Sequence, residues 1–280
     1  MSRWFSTLAA ALAAAASTAA ALPAPALAAE LPLWELGLGV AGLSLPHYRG
    51  AEKSRNWLLP MPYGVYRGEI LQANREGLKA KLLDSDRIDF DISLEATAPS
   101  RSADEPARHG MPDLKGTVEV GPNLNLRLAS GPGWKVEARL PIRAAFTLQT
   151  KSRGVGWVAA PTLNLDQRIA GWNVGTELSA LWGSRDYHRY YYDVAPEYAS
   201  TERPAYSARA GRGGWQATLA ATRRDGRRWI GAFVSADSLA GANFSESPLV
   251  RRRSNLSFGV AVSWLLWSSD RLVPDPDELK

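Results

Sequence analysis

The chain has no cysteine and only three histidines in 280 residues. Disulfide frameworks, thiolate metal sites and cysteine nucleophiles are therefore excluded. His47, His109 and His188 lie far apart, and no metal-ligand spacing surrounds them. Ser184, Asp186 and His188 bring a hydroxyl, an acid and an imidazole close together in sequence, but no Gly-x-Ser-x-Gly elbow accompanies them. We therefore expect no enzyme and no cofactor. Beyond the N-terminus no run approaches the ~20 apolar residues of a membrane helix. Charge of one sign is also scarce. Lys and Arg number 33 against 28 Asp and Glu, and the two are interleaved, which speaks against nucleic acid as a partner.

The N-terminus has what the rest lacks. Arg3 precedes an Ala/Leu-rich run from Leu8 to Leu22, and Ala26-Leu27-Ala28 follows. That is a secretory leader with a small-residue cleavage site, so residues 1–28 are expected to be removed after Ala28. An exported chain without a membrane helix is periplasmic, extracellular or an outer-membrane barrel. Eleven Trp and nine Tyr lean toward the barrel, because amphipathic rings collect at membrane interfaces.

Periodicity carries the fold. Val118, Val120, Pro122, Leu124, Leu126 and Leu128 alternate with Glu119, Gly121, Asn123, Asn125 and Arg127. Trp134, Val136, Ala138, Leu140, Ile142, Ala144 and Phe146 alternate with Lys135, Glu137, Arg139, Pro141, Arg143, Ala145 and Thr147. The turn residues Ser130, Gly131, Pro132 and Gly133 lie between them. The same period-2 pattern runs through residues 88–95, 172–182, 215–221 and 256–266. Several segments approach the ~9–11 residues that cross a bilayer at a tilt, well beyond an ordinary sandwich strand. Connections alternate as well: short links near residues 67–68, 84–87, 130–133, 170–171 and 224–227, and longer ones at 46–56, 98–113, 149–155, 185–205 and 240–253. Short periplasmic turns and longer extracellular loops are the asymmetry of such barrels.

The expected fold is all-β: a closed antiparallel transmembrane barrel over residues 29–267. It has about twelve strands if a hairpin tip falls at Asn74-Arg75-Glu76, with ten or fourteen as alternatives. Residues 57–83 alternate poorly, and Pro60, Pro62, Pro141 and Pro161 each remove a ladder donor. Hydrocarbon offers backbone groups no partner, so the sheet must have no free edge. The apolar face then meets lipid and the polar face a wet lumen. Lys79, Lys81, Asp89, Asp91, Glu95, Glu119, Arg127, Lys135, Glu137, Arg139, Arg143 and Glu177 are expected to point inward. Their mixed signs imply a cross-linked, narrow interior. The tail, residues 268–280, is expected in the periplasm, as a partner-binding segment or a disordered end, its composition favouring disorder.

Several segments carry a resemblance. Arg108, Gly110, Met111, Pro112 and Asp113 lie within Ala107–Leu114, followed by Gly121-Pro122. Tyr191-Tyr192-Asp193, Arg203-Pro204 with Tyr206, the Asp-Ser-Leu-Ala-Gly of residues 237–241 and Ser247-Pro248-Leu249 come later, and Tyr48 and Gly50 earlier. In these residues, and in their order, the chain resembles the MltA-interacting protein/OmpV family of outer-membrane proteins. The resemblance implies an outer-membrane barrel. Its partners are then outer-membrane lipid and lipopolysaccharide, a lytic murein transglycosylase and a penicillin-binding protein. It transfers the fold better than the partner.

Function is read on three levels: a structural scaffold for murein-remodelling enzymes, a narrow porin-like channel gated by residues 185–205, and, remotely, a membrane hydrolase. Arg108 and Asp113 either pin their loop or meet a ligand; we expect a structural turn with Arg108 on a lumen carboxylate. Tyr187, Tyr190, Tyr191, Tyr192, Tyr198 and Tyr206 either stack on a sugar or amphiphile or pack the loop itself. Arg251, Arg252 and Arg253 either contact lipopolysaccharide phosphates or stand as solvated rim charges.

Overall fold

Alternation along the chain becomes alternation of faces. The computed structural model describes residues 30–274 apart from 69–70, 75–76, 81–82 and 85–86, and no side chain within 69–86. The expected leader, the end of the tail, Arg75-Glu76 of the expected hairpin tip, and Lys81 lie outside the described residues. Lys79 is described only as backbone.

Short strands β1 (Glu30–Pro32) and β16 (Leu272–Pro274) pair with each other at the two ends of the chain. Between them run β2 (Trp34–Pro46), β3 (Ser54–Arg67), β4 (Leu71–Asn74), β5 (Gly77–Ala80), β6 (Leu83–Asp84) and β7 (Ile88–Thr97). There follow β8 (Thr117–Gly131), β9 (Trp134–Thr147), β10 (Gly154–Ala159), β11 (Thr162–Ile169) and β12 (Trp172–Gly183). A helix, α1 (Arg185–Tyr192), precedes β13 (Gly211–Asp225), β14 (Arg228–Ser238) and β15 (Ser254–Ser268).

Fourteen of these segments form one antiparallel sheet. Each long strand pairs with its neighbour in sequence, and β15 returns to pair with β2, Val262 opposite Val40. The last long strand thus lies on the first. β10 and β11 both pair with β9 and with β12, so they are one crossing interrupted at Ala160-Pro161. Pro161 has no N–H to give the ladder. Pro60, Pro62 and Pro141 are instead accommodated within β3 and β9. The β4–β5 pairing places Asn74 opposite Gly77, as the expected hairpin requires. The sheet path ends at β5 and β6, and Cα atoms of β5 come within 8 Å of β7. No ladder among the described residues joins the two ends.

The polarity is inverted relative to a protein in water. Leu38 (58 % exposed), Val260 (62 %), Ile142 (56 %) and Phe258 (56 %) face outward, whereas Asp91 (1 %), Glu119 (2 %) and Asn164 (1 %) are buried. An apolar surface this continuous needs a hydrophobic solvent. Each outward Leu or Phe moved from water to hydrocarbon contributes about 1.5–3 kcal/mol.

The connections obey the expected asymmetry. Tight turns at Gly131–Trp134, Ile169–Trp172 and Asp225–Arg228 close one end. The long loops after β2, β7, β9, β12 and β14 gather at the other, and both chain ends lie with the tight turns. In the described part of the tail, Leu272–Pro274 pair with Glu30–Pro32, and Ser269 donates its N–H to the Trp34 carbonyl (2.9 Å). Two segments that would fray singly satisfy each other's backbone.

Candidate functional site

The long loops do not wave in solvent. Four of them fold into a cap with its own apolar core, made of Tyr48 and Ala51, Ala107 and Leu114, Tyr192, Val194 and Ala208, and Leu239, Ala242, Phe244 and Leu249. Tyr192 stacks on Phe244 at 3.7 Å and 10°, and His188 meets the same ring edge-on at 4.7 Å. Helix α1 starts here because Ser184 caps it, its hydroxyl accepting the Tyr187 N–H (3.2 Å), with Asp186 in the first turn.

The tyrosines of α1 fasten the cap. Tyr187 donates its hydroxyl to Glu119 on β8 (2.8 Å), Tyr190 to the Lys115 carbonyl (2.8 Å) and Tyr192 to the Arg49 carbonyl (3.0 Å). The Tyr191 hydroxyl sits 3.3 Å from that of Thr117. Burial, with the Tyr191 phenol beside it, pushes Tyr190 up to about 12. Burial pushes Tyr48, Tyr187 and Tyr192 up further. The rings thus pack the cap, and Tyr48, Tyr187, Tyr191 and Tyr192 also line a cavity beneath it.

Nearly every motif residue belongs to this cap. Tyr48 donates its hydroxyl to the Leu249 carbonyl (2.8 Å), and Ser247 donates to that of Tyr192 (2.7 Å). Pro248 lies in the turn closed by Val250 N–H on the Ser247 carbonyl (2.9 Å). Gly50 has φ of +91°, a conformation only glycine adopts without strain. Its carbonyl accepts the N–H groups of Arg251 (2.8 Å) and Arg252 (3.1 Å), and its own N–H donates to Asn255 (2.7 Å). Asp193 accepts the Ala208 N–H (2.6 Å). Arg203 reaches the carbonyls of Tyr198, Ala107 and His109, tying two loops together. Val194 and Tyr206 exchange backbone bonds, Met111 packs on the cluster, Gly110 sits in the adjoining turn, and Pro204 is exposed. Gly121 and Pro122 lie apart, in the wall. A Cβ on Gly121 would collide with the Ile142 carbonyl of β9.

Arg108 departs from expectation. It is buried and donates to the carbonyls of Tyr191 (3.0 Å) and Pro112 (3.2 Å) and to the Ser102 hydroxyl (3.4 Å), not to a lumen carboxylate. Desolvation lowers its pKa from the ordinary guanidinium value. The reason is position: the loop folds over the mouth and never descends into the lumen. Asp113 turns back to accept the Ser102 N–H (2.8 Å).

Below the cap the inward charges are cross-linked. Arg143 pairs with Glu119 (3.2 Å) and with Glu95, so the Tyr187–Glu119 bond ties cap to wall. Lower down, Lys135 pairs with Glu137 (3.2 Å) and Arg139 with Glu177 (3.1 Å), and Asp166 lies 3.7 Å from both cations. Asp91 accepts from the amides of Asn123 (3.1 Å) and Asn125 (2.8 Å). Asp89 is half-buried. Arg127 stands opposite Glu137 in register but is exposed, beside a bulge near the tight turns.

At the tight-turn end sits a second apolar group, Tyr63, Val65, Trp229 and Leu265. The Trp229 ring occupies the space a side chain on Gly231 would need. Beside it, fully buried Glu35 binds Arg67 (3.0 Å) and Arg224 (2.6 Å). Sequence reasoning missed this plug and the pairing of Arg49 with Asp237 (2.7 Å). Glu35, a lone charge in an otherwise apolar strand, was the available signal.

Cavities lie below the cap. The upper, about 250 Å³, lies under α1; the lower, about 280 Å³, lies among Asp91, Asn123 and Glu177. Glu95, Arg143, Leu181 and Gln216 line both.

The catalytic alternative gains nothing. The Ser184 hydroxyl is occupied by the N–H groups of Tyr187 and Trp157, and His188 Nδ1 lies 2.7 Å from the Arg209 carbonyl. Burial lowers the His188 pKa from the ordinary imidazole value. No cluster able to hold a metal ion occurs among the described residues.

A single antiparallel wall with apolar residues outside, charges inside, tight turns at one end and long loops at the other defines an outer-membrane β-barrel protein. A family model, described as MltA-interacting protein MipA, matches residues 38–266. The chain belongs to that family.

Among solved structures, an outer membrane channel from Pseudomonas putida F1 is 13% identical, covering 88% of this chain and 100% of that one at a TM-score of 0.46. The CymD monoaromatic hydrocarbon channel is 13% identical, covering 84% and 89% at 0.35. Outer membrane phospholipase A from Escherichia coli is 10% identical, covering 84% and 94% at 0.32. No curated protein matches the sequence.

Proposed function

We propose that the chain is a closed twelve-stranded barrel, occluded at rest, that serves as a docking unit for murein-remodelling enzymes and performs no bond chemistry. β5 and β6 are counted as one crossing, β5 paired with β4 and β6 with β7. With β10 and β11 also counted as one, the crossings number twelve, the even count such barrels carry. The leader is removed after Ala28, the cap faces outward, and residues 268–280 reach the periplasm. Exposed Arg251, Arg252 and Arg253 stand at the cap end, where lipopolysaccharide phosphates would meet their forks.

The observations that carry the reading are the packed loop cap at one end and the buried Tyr63–Trp229 group with Glu35 at the other. They favour a structural role over free diffusion. The family's description names interaction with the MltA enzyme, and we extend the partnership to a lytic murein transglycosylase together with a penicillin-binding protein. Tight turns offer little surface, so the paired chain ends, β1 with β16, are the natural docking point.

The test is capture from solubilised outer membranes, comparing the full chain with one ending at Trp267. The full chain should co-purify with murein enzymes and the shortened one should not. Equal capture overturns docking at the chain ends, and capture by neither overturns the scaffold. A narrow channel is the second reading, favoured by the two cavities that meet at Arg143. Steady currents across planar bilayers would establish it in place of the occluded barrel.

A further inference from the structure

We propose that the upper cavity is a binding site for a small aromatic anion, a function beyond docking. The walls are aromatic: Trp57 and Trp182 from the barrel, Tyr48 from the β2–β3 loop, and Tyr187, Tyr191 and Tyr192 from α1. Such faces and edges suit a flat ring better than a flexible chain. The volume of about 250 Å³ suffices, since a dry cavity of about 150 Å³ already holds benzene.

The charges select the sign. Arg49, Arg55, Lys115 and Arg143 line the cavity, against Glu95, Glu119 and Asp237. All three carboxylates are already engaged. Arg143 holds Glu95 and Glu119, and Arg49 holds Asp237. Arg55 stacks on Trp57 (4.2 Å), and its ion pair, with Asp104 outside the cavity, is long (4.0 Å) and solvent-exposed. Lys115 has no carboxylate within 4.0 Å among the described residues. Lys115, and Arg55 on its long, exposed pair, can thus turn to an incoming anion beside an aromatic wall, Arg55 already lying on a ring of that wall. A cationic ligand would meet both charges and find no carboxylate unoccupied.

The test uses the whole mature chain, refolded in detergent micelles, titrated calorimetrically with benzoate, benzyl alcohol and benzylamine at equal ionic strength. Benzoate should bind saturably, at least about tenfold more tightly than benzyl alcohol, and benzylamine should not saturate below about 10 mM. Arg55→Gln with Lys115→Gln, both at partly or fully exposed positions, should remove the preference of benzoate over benzyl alcohol. Val158→Phe, which fills the cavity from β10, should abolish binding of both, with heat-modifiable gel migration confirming its fold. No saturable benzoate binding, equal affinity for the alcohol, or an unchanged preference in the double variant would overturn the proposal. Undiminished binding to folded Val158→Phe would overturn it too.

Discussion

Phe244→Ala separates the cap from the wall that carries it. The Phe244 ring is 1 % exposed and stacked on Tyr192, with His188 against its edge. Removing a buried phenyl costs about 3–5 kcal/mol, cavity included, and the lost stacking lies within about 0.5–1.5 kcal/mol of that. The cap core is a cluster of its own, so the loss should appear as local opening of the cap. At about 1.4 kcal/mol per decade, the open cap becomes about two to three and a half powers of ten more populated. Hydrogen exchange of the folded protein in micelles reads this directly. Amides held inside the cap, Val194 on the Tyr206 carbonyl and Ala242 on that of Leu239, should exchange faster by that factor. Amides of the β13–β14 ladder should not change. If cap and ladder amides accelerate together, the cap is no separate cooperative unit and the reasoning fails. If neither accelerates, Phe244 is not its keystone.

Three further outcomes follow from the same contacts. Tyr187→Phe removes the bond to Glu119 and should loosen α1 by about 1.5–3 kcal/mol, the range for a charged acceptor; proteolysis within residues 184–210 should quicken while the barrel band keeps its migration. The cap should hold between two pH limits. Tyr190 is raised from 10.0 to about 12, so its contribution is whole below pH 10 and lost as pH climbs through about 12, which tyrosinate absorbance and proteolysis together would track. His188 is lowered from 6.5, so its contribution is whole above 6.5 and lost as pH falls below that value; cap proteolysis that stays flat into acid counts against its burial. Glu35→Ala leaves Arg67 and Arg224 facing each other without their anion and should cost about 3 kcal/mol, seen as a lower urea midpoint for barrel unfolding. An unchanged midpoint would mean that solvent already screens the cluster.

The motifs show what a linear reading reaches. Arg108, Tyr192, Arg203 and Ser247 were visible as unusual words, but nothing in the chain said that they touch. They lie far apart in sequence, and Arg108, Arg203 and Ser247 all act on backbone carbonyls, which leave no compositional trace. Arg108 was assigned a carboxylate partner because charge pairing is the habit of lumen residues; the loop's path over the mouth decided otherwise. Glu119 shows the opposite case. Its inward position was legible from alternation alone, and its partner Arg143 from the same rule on the next strand.

Period-2 patterning determined by itself that the wall is a sheet, which face meets lipid, and which ends carry tight turns and long loops. Those follow from local geometry, since each residue's face is fixed by its neighbours two places away. Only the tertiary structure decided that the loops close into a cap, that Trp229 and Glu35 are buried at the far end, and that β1 pairs with β16. These depend on contacts between segments some 200 residues apart, such as Tyr48 with Leu249, where what decides is the space left after the wall has formed.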